Sequence, residues 1–300
     1  MVTLAHLRPE IQALAALPGA ERLAGLNSEH WIGYTRAHWA LAQFEALLTH
    51  ESGKVRPRNL LIVGPTNNGK TMIAEKFYRA HPPHTAANGE HEVIPVLRVQ
   101  MPAEPTTRRL YLELLIALGA PVGFHSRPDL REALALRLMR TVGIHLLIID
   151  EAHNLLGATA RQQRELLNLL RFLGNELRIP LVCLGTRDAY LAIRSDDQLE
   201  NRFHPLLLPL WEEGEEFARL LASFETVLPL REPSHLAALP LRELILRRSE
   251  GTIGEIALLL TRATATALRQ GEERINSTLI EQTDYQSPTA RRRLIERELR

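Results

Sequence analysis

Gly64, Gly69, Lys70 and Thr71 stand in the order G-x-x-x-x-G-K-[ST], with Pro65, Thr66, Asn67 and Asn68 filling the loop between the glycines. Phosphate binding needs that order. Backbone N–H groups wrap the phosphates at a helix N-terminus, Lys70 reaches the β- and γ-phosphates, and the Thr71 hydroxyl takes Mg²⁺. The flanks suit this chemistry, since Leu60, Leu61, Ile62 and Val63 read as a buried strand leading in, and residues 72–80 read as a helix leading out. A chance Gly-rich turn has no need of such flanks.

A second group of chemically competent residues follows about 80 positions later, where Ile144-His145-Leu146-Leu147-Ile148-Ile149 runs into Asp150-Glu151. This is the Walker B pattern. A buried parallel strand ending there delivers carboxylates to the carboxyl edge of a sheet, the edge at which such folds bind ligands. Asp150 would then hold Mg²⁺ together with Thr71, and Glu151 would polarise the attacking water. Residues 179–186 form a third apolar run ending on Thr186, a small polar residue placed where a γ-phosphate sensor sits. Cys183 belongs inside that run as a small hydrophobe.

The rest of the chain must position these groups. With 300 residues, 45% hydrophobic and 24% charged, it has material for a substantial core. A net charge of +1 provides no whole-molecule field for nucleic acid, so any DNA contact needs a local patch. One cysteine excludes an internal disulfide framework and fits a reducing compartment. No apolar run approaches the roughly 18 residues of a membrane span, and the start of the chain lacks a signal-peptide pattern. A cytoplasmic protein without a membrane partner is expected.

Helical spacing of Leu4, Leu7, Ile11, Leu14 and Leu17 predicts a first helix closed by Pro18-Gly19, which either packs on the core or docks a partner. The aromatic turn His30-Trp31-Ile32-Gly33-Tyr34-Thr35 either lines an adenine pocket, with Ile32 and Tyr34 at the base, or anchors the N-terminal helices. A helix follows with Ala37, Leu41, Phe44, Leu47 and Leu48 on one face. Residues 81–91 read as an exposed loop, whose His81, His84 and His91 lack companions at metal-ligand spacing. Beyond it come a strand over 93–99, a loop over 100–109 and helices over 110–118 and 130–142. Further helices are expected over 161–177 and 188–203, and a last short strand over 205–210, with Asp196-Asp197 and Pro205 making that connection irregular. From residue 212 the pattern is helical only, over 212–228, 239–249, 253–270 and 276–282. The expected architecture is α/β, a parallel αβα sandwich with a smaller C-terminal helical lid. Its expected divisions are an N-terminal helical extension (1–55), a nucleotide-binding core (56–210), the lid (211–286) and a basic tail (287–300). The tail, with Arg291, Arg292, Arg293, Arg297 and Arg300, is either solvated or a docking segment.

This order of motifs resembles the AAA+ P-loop ATPases. Within them, Trp31-Ile32-Gly33-Tyr34, the 61–71 loop, Asp150-Glu151-Ala152-His153, Leu184-Gly185-Thr186, residues 198–203 and Gly251-Thr252-Ile253-Gly254-Glu255 resemble the TniB group of transposition proteins. That group is similar to TnsC and more distantly to MuB and IstB, and the resemblance covers about residues 25–285. It implies ATP and Mg²⁺ as ligands and ATP hydrolysis, which the absence of a sensor arginine beside Gly254 (Glu255 stands there) points to as slow or partner-controlled. It also implies a sequence-nonspecific regulator that forms a homo-oligomer or filament on double-stranded DNA. A DDE transposase and a TniQ-type targeting protein are the implied partners.

By position Arg202 matches an arginine finger, which stabilises charge on a neighbouring subunit's γ-phosphate; a surface arginine is the plain alternative, and Arg194 is a second candidate. Thr106, Thr107, Arg108 and Arg109 either touch DNA backbone, without sequence preference and with salt sensitivity, or only cap and solvate a helix start. The sequence departs from the wider superfamily in one place. Glu255 follows Gly254 where many AAA+ proteins carry a sensor arginine.

Asp150-Glu151-Ala152-His153 also spells a helicase box, but a helicase of that type needs a second nucleotide fold, and too few residues follow. A helicase loader or replication initiator of the same superfamily, or a nucleotide-dependent signalling switch without DNA, are the competing functions.

Overall fold

The computed structural model describes residues 4–26, 28–89, 91–121 and 128–299. It resolves into two compact units. One contains Trp39–Thr66 and Lys70–Pro209; the other contains the described residues up to His38, Asn67–Gly69 and the described residues from Leu210 onward.

The first of these units is built on five parallel strands: β1 (Asn59–Val63), β4 (Val96–Gln100), β5 (Leu146–Asp150), β6 (Leu181–Gly185) and β7 (Phe203–Leu207). Their order is β4-β5-β6-β1-β7. Helices α3 (Thr35–His50, from Trp39 onward), α4 (Lys70–Ala80), α5 (Thr107–Ala117), α6 (Pro128–Thr141), α7 (Ala160–Glu176), α8 (Arg187–Arg194) and α9 (Asp197–Glu200) accompany them. Strands β5 and β6 are buried at every position, as expected of central parallel strands covered on both faces. Edge strand β7 buries Phe203 and Leu206 and exposes His204, Pro205 and Leu207, and an edge tolerates Pro205 because the ladder does not require its missing N–H there. The core gathers Leu97 and Val99 from β4, Leu147 and Ile149 from β5, and Leu166, Leu170 and Leu173 from one stripe of α7.

Cys183 lies inside this core. Burial pushes its thiol up to about 12. We therefore expect no alkylation of the native protein at mildly alkaline pH and full labelling in concentrated guanidinium, read by intact mass; native labelling would contradict the packing.

The second unit is helical. It contains α1 (Pro9–Ala15), α2 (Gly19–Gly25), α10 (Glu215–Glu225), α11 (Leu239–Ser249), α12 (Ile253–Gln270), α13 (Ser277–Gln282) and α14 (Pro288–Glu298). Phe217, Leu220, Phe224, Ile245, Ile256, Leu259 and Ile280 form its core, and Leu7, Ile11 and Ala15 pack with Val227. Arg22 is buried on α2, donating to Pro229 O at 3.1 Å and to both Glu273 oxygens at 2.7 and 2.8 Å.

Several elements differ from the periodicity reading. Pro18-Gly19 closes α1 but also opens α2, a seven-residue helix. Residues 81–91 are not wholly loop: β2 (His84–Thr85) pairs antiparallel with β3 (Glu92–Val93), while Glu90 lies outside the described residues. The expected 188–203 helix breaks at Asp196, whose carboxylate accepts from Gln198 N and Leu199 N at 3.0 Å and so starts α9. The tail through Glu298 is helical as α14, with no buried residue, and Arg300 lies outside the described residues. Among the described residues no helix is long and apolar enough to cross a membrane.

Candidate functional site

Parallel pairing carries the ends of β4, β5, β6 and β1 to one edge: Gln100 pairs with Asp150, Ile149 with Cys183, and Val63 with Gly185. The phosphate loop leaves β1 at that edge. Gly64 N donates to Gly185 O at 3.1 Å, and a Cβ on Gly64 would lie 2.7 Å from Leu208 O, so only glycine lets the backbone pass. Lys70 opens α4 and is buried at 7% exposure, with Nζ donating to Gly64 O at 2.9 Å and to Pro65 O at 2.5 Å. Burial holds its ammonium below the usual lysine range, against the attraction of Glu151 and Asp150.

Asp150 ends β5 facing this loop. The Thr71 hydroxyl donates to Asp150 Oδ2 at 2.8 Å, and Glu151 N donates to Asp150 Oδ1 at 2.8 Å. Two hard oxygens from separate elements thus already stand side by side, the donor chemistry that Mg²⁺ takes, so the residues present fit that ion. Glu151 is left-handed at φ 55 and ψ 33. That backbone costs a non-glycine residue on the order of 1 kcal/mol or more. It turns the chain into a short 3₁₀ segment, Ala152–Gly157, and sets Glu151 Oε2 3.0 Å from His153 Nε2.

Thr186 follows β6 directly and so lies beside Gly64. Its hydroxyl accepts from Asp188 N at 3.4 Å as the N-cap of α8. Arg202 lies elsewhere. Its O accepts from Asn59 N at 2.9 Å, which puts it before β7 at the opposite edge of the sheet, and its Nη1 donates to Asn175 Oδ1 at 2.7 Å. A five-residue strand, about 17 Å long, separates it from the edge bearing its own phosphate loop. Burial, then repulsion from Arg56 and Arg171, holds its guanidinium below the usual arginine range. Arg194 stands 3.6 Å from Glu200.

Thr106, Thr107, Arg108 and Arg109 follow β4 at the phosphate-loop edge. Thr106 caps α5 by accepting from Arg109 N at 3.2 Å, and Arg109 is tied to Glu104 at 2.8 Å, while Arg108 is exposed. Ile32 and Tyr34 belong to the helical unit, where both pack against its core. The Tyr34 ring meets Trp211 edge-on at 5.1 Å, and burial pushes its hydroxyl up to about 12. These contacts are those of an anchor, although that hydroxyl also approaches Gly69 at the loop tip, 3.5 Å from where a Cβ would stand. His81 meets Glu45 at 3.1 Å, and among the described residues no cluster of three or more His, Cys, Asp or Glu is gathered for a metal.

Three site features escaped the motif reading. One is the His153–Glu151 contact. Another is the pair of bonds at the loop tip, where Gly254 N donates to Asn67 O at 3.0 Å and Ile253 N to Asn68 Oδ1 at 3.3 Å. The third concerns Glu255, at the place of the missing sensor arginine: it is buried, accepts from Tyr285 Oη at 2.8 Å and pairs with Arg291 at 2.5 Å. Only the third had a signal, an acid in place of an expected cation.

The family model described as bacterial TniB protein matches residues 22–213. Solved structures similar to the chain include the Aeropyrum pernix ORC2 protein in its ADPNP–ADP complexes, 18% identical, covering 87% of this chain and 70% of that one, with a TM-score of 0.61. Drosophila ORC bound to DNA is 16% identical, with 92% and 65% covered and a TM-score of 0.60. The Aeropyrum pernix ORC1 protein in complex with DNA is 19% identical, with 86% and 64% covered and a TM-score of 0.56. At such identities the likeness is one of fold: a parallel sheet with helices and a helical C-terminal part, as in AAA+ P-loop ATPases. No curated protein matches the chain significantly.

Proposed function

The chain belongs to the bacterial TniB family, and from that premise we propose that it is an ATPase that assembles with copies of itself on double-stranded DNA and engages a DDE transposase there. A TniQ-type targeting protein is a further partner in this reading. The observation that carries the nucleotide part is the junction of Thr71 with Asp150 at 2.8 Å beside the buried Lys70. Gly64 through Gly69 would wrap the phosphates with backbone N–H groups, and Lys70 would meet their charge from inside the loop. Thr71 and Asp150 would hold Mg²⁺, which neutralises charge developing on the transferred phosphoryl group. Glu151 takes the proton of the attacking water, and Thr186 donates to the γ-phosphate. Arg202, facing away from its own loop, would complete the site of the next copy. On this reading nucleotide binding and assembly are one event.

DNA contact by Thr106, Thr107, Arg108 and Arg109 would fall mainly to Arg108, since Arg109 is tied to Glu104. Backbone contact of this kind is sequence-independent and weakens with salt. Gel-shift and negative-stain series with ATP, with ADP and with Lys70→Ala test the reading. Multimers on DNA are expected with ATP alone. A protein that stays monomeric and DNA-free with ATP at low salt would end it. An initiator-type ATPase would share assembly on DNA, so pull-down of the transposase encoded by the same element separates the two.

A further inference from the structure

We propose that His153 is a positioning residue for Glu151, holding one oxygen of that carboxylate so that the other takes the proton of the attacking water. The inference rests on the reading of Glu151 as the group that polarises water, and it adds a residue which that reading does not contain.

The two residues meet only because of the backbone between them. Glu151 is left-handed at φ 55, and the 3₁₀ segment that follows folds the His153 ring back until Nε2 stands 3.0 Å from Oε2. The contact is an ion-pair approach of ring nitrogen to carboxylate oxygen, and in the proposal Nε2 carries the hydrogen that faces Oε2. Nδ1 is buried and has no hydrogen-bond partner among the described residues. The tautomer with its hydrogen on Nε2 therefore leaves no N–H buried and unpaired. Oε2 is the oxygen that meets the ring at 3.0 Å, and in the proposal Oε1 is the one that takes the proton.

The turn that carries the ring is itself fixed on three sides. Asn154 Nδ2 donates to Met101 O at 2.9 Å, and Asn154 N donates to Glu151 O at 3.0 Å. Ala152 and Leu155 are fully buried in the sheet unit's core. At the end of β6, a Cβ on Gly185 would lie 2.5 Å from Ala189 Cβ and 3.1 Å from His153 N, so the glycine there admits α8 first and the turn beside it. A histidine on a locked turn sets the direction of a carboxylate more narrowly than a free rotamer does, and a misplaced base loses rate without losing ligand. The same turn lies one residue from Thr186, because Gly185 is its immediate neighbour in β6. The γ-phosphate sensor and the water-polarising acid are thus held to one piece of backbone.

The test is a double-mutant cycle on ATP turnover by the full-length chain, with nucleotide affinity measured separately by fluorescent ATP titration. His153→Ala is expected to lower kcat about tenfold with KM and nucleotide affinity unchanged. His153→Gln, whose amide can still donate near the Nε2 position, should restore most of the rate. Combined with Glu151→Gln, His153→Ala should add no further loss, since it acts through the group already removed. Thermal melts of each variant identify any that fail to fold, and His153→Gln and His153→Asn then carry the comparison. Full turnover by His153→Ala beside a defective Glu151→Gln overturns the proposal, as does a loss that multiplies with Glu151→Gln. Full turnover by Glu151→Gln alone would instead remove the role of Glu151, and with it the basis for His153.

Discussion

Replacing Glu151 with glutamine is expected to lower ATP turnover by about 10²- to 10⁴-fold, the usual worth of a general base, while nucleotide affinity is kept. The exchange is nearly isosteric. The new amide oxygen can still face His153 Nε2, and the Glu151 main-chain bond to Asp150 Oδ1 is untouched. Asp150 and Thr71 therefore stay together, and Lys70 keeps its two carbonyl acceptors. What disappears is the negative charge that draws a proton from water. Steady-state phosphate release, compared with fluorescent nucleotide titration, reads the two effects apart. If nucleotide gates assembly, the variant should also remain on DNA longer than the parent after ATP is diluted away. Turnover equal to that of the parent would exclude Glu151 from the chemistry.

The second large effect is structural. Arg22→Met should destabilise the helical unit by about 3 kcal/mol, as breaking a buried ion pair does. Arg22 is 4% exposed and grips Glu273 with both terminal nitrogens. Methionine preserves volume but leaves the Glu273 carboxylate with the Arg231 N–H at 3.1 Å and a guanidinium at 3.7 Å, and it strips Pro229 O of its donor. The hydrogen bond from Arg22 is the chief cause holding Glu273 below the usual carboxylate range, with Arg231 adding to it against desolvation. A lowered carboxylate contributes its stability above its unfolded value and loses it as pH falls through the lowered folded value. The gap between parent and variant in urea midpoint should accordingly be full at neutral pH and narrow in acid. Equal midpoints at neutral pH would contradict the buried pairing.

The elements that frame the loop were legible wherever they are written in consecutive residues. The strand into Gly64, the Gly69-Lys70-Thr71 turn and the apolar run into Asp150 are local, and local pattern reports them. Helix α7 was equally plain, because Leu166, Leu170 and Leu173 recur at the helical period. The losses have two causes. Some signals were present as caps rather than periods: Asp196 starts α9, and Ser287 accepts from Ala290 N at 3.3 Å with Pro288 at the first helical position, which makes a helix of a segment whose charge suggested a tail. Other features exist only in three dimensions. Neither the left-handed Glu151 nor the meeting of Asn67 and Asn68 with Gly254 and Ile253 has a signature in one dimension, since both depend on which backbone atoms the fold brings close. Arg202 is intermediate. Its position by motif was readable, but its place at the far edge of the sheet required the strand register.

Strand order also bears on how the protein is made. Leu60 of β1 pairs with Val182 on one side and His204 on the other, and β1 pairs with no earlier strand. A nascent chain thus presents Leu60, Leu61 and Ile62 without a strand partner until about 120 more residues have been added. At about 5–20 residues per second the wait is on the order of 6–24 s, and through it an apolar strand with free edges is open to foreign pairing. β4 and β5 can join first, β6 next, and β1 only when β6 is there to receive it. A ribosome stalled before residue 181 therefore holds the whole phosphate-binding motif in its product but none of the sheet partners that hold its strand.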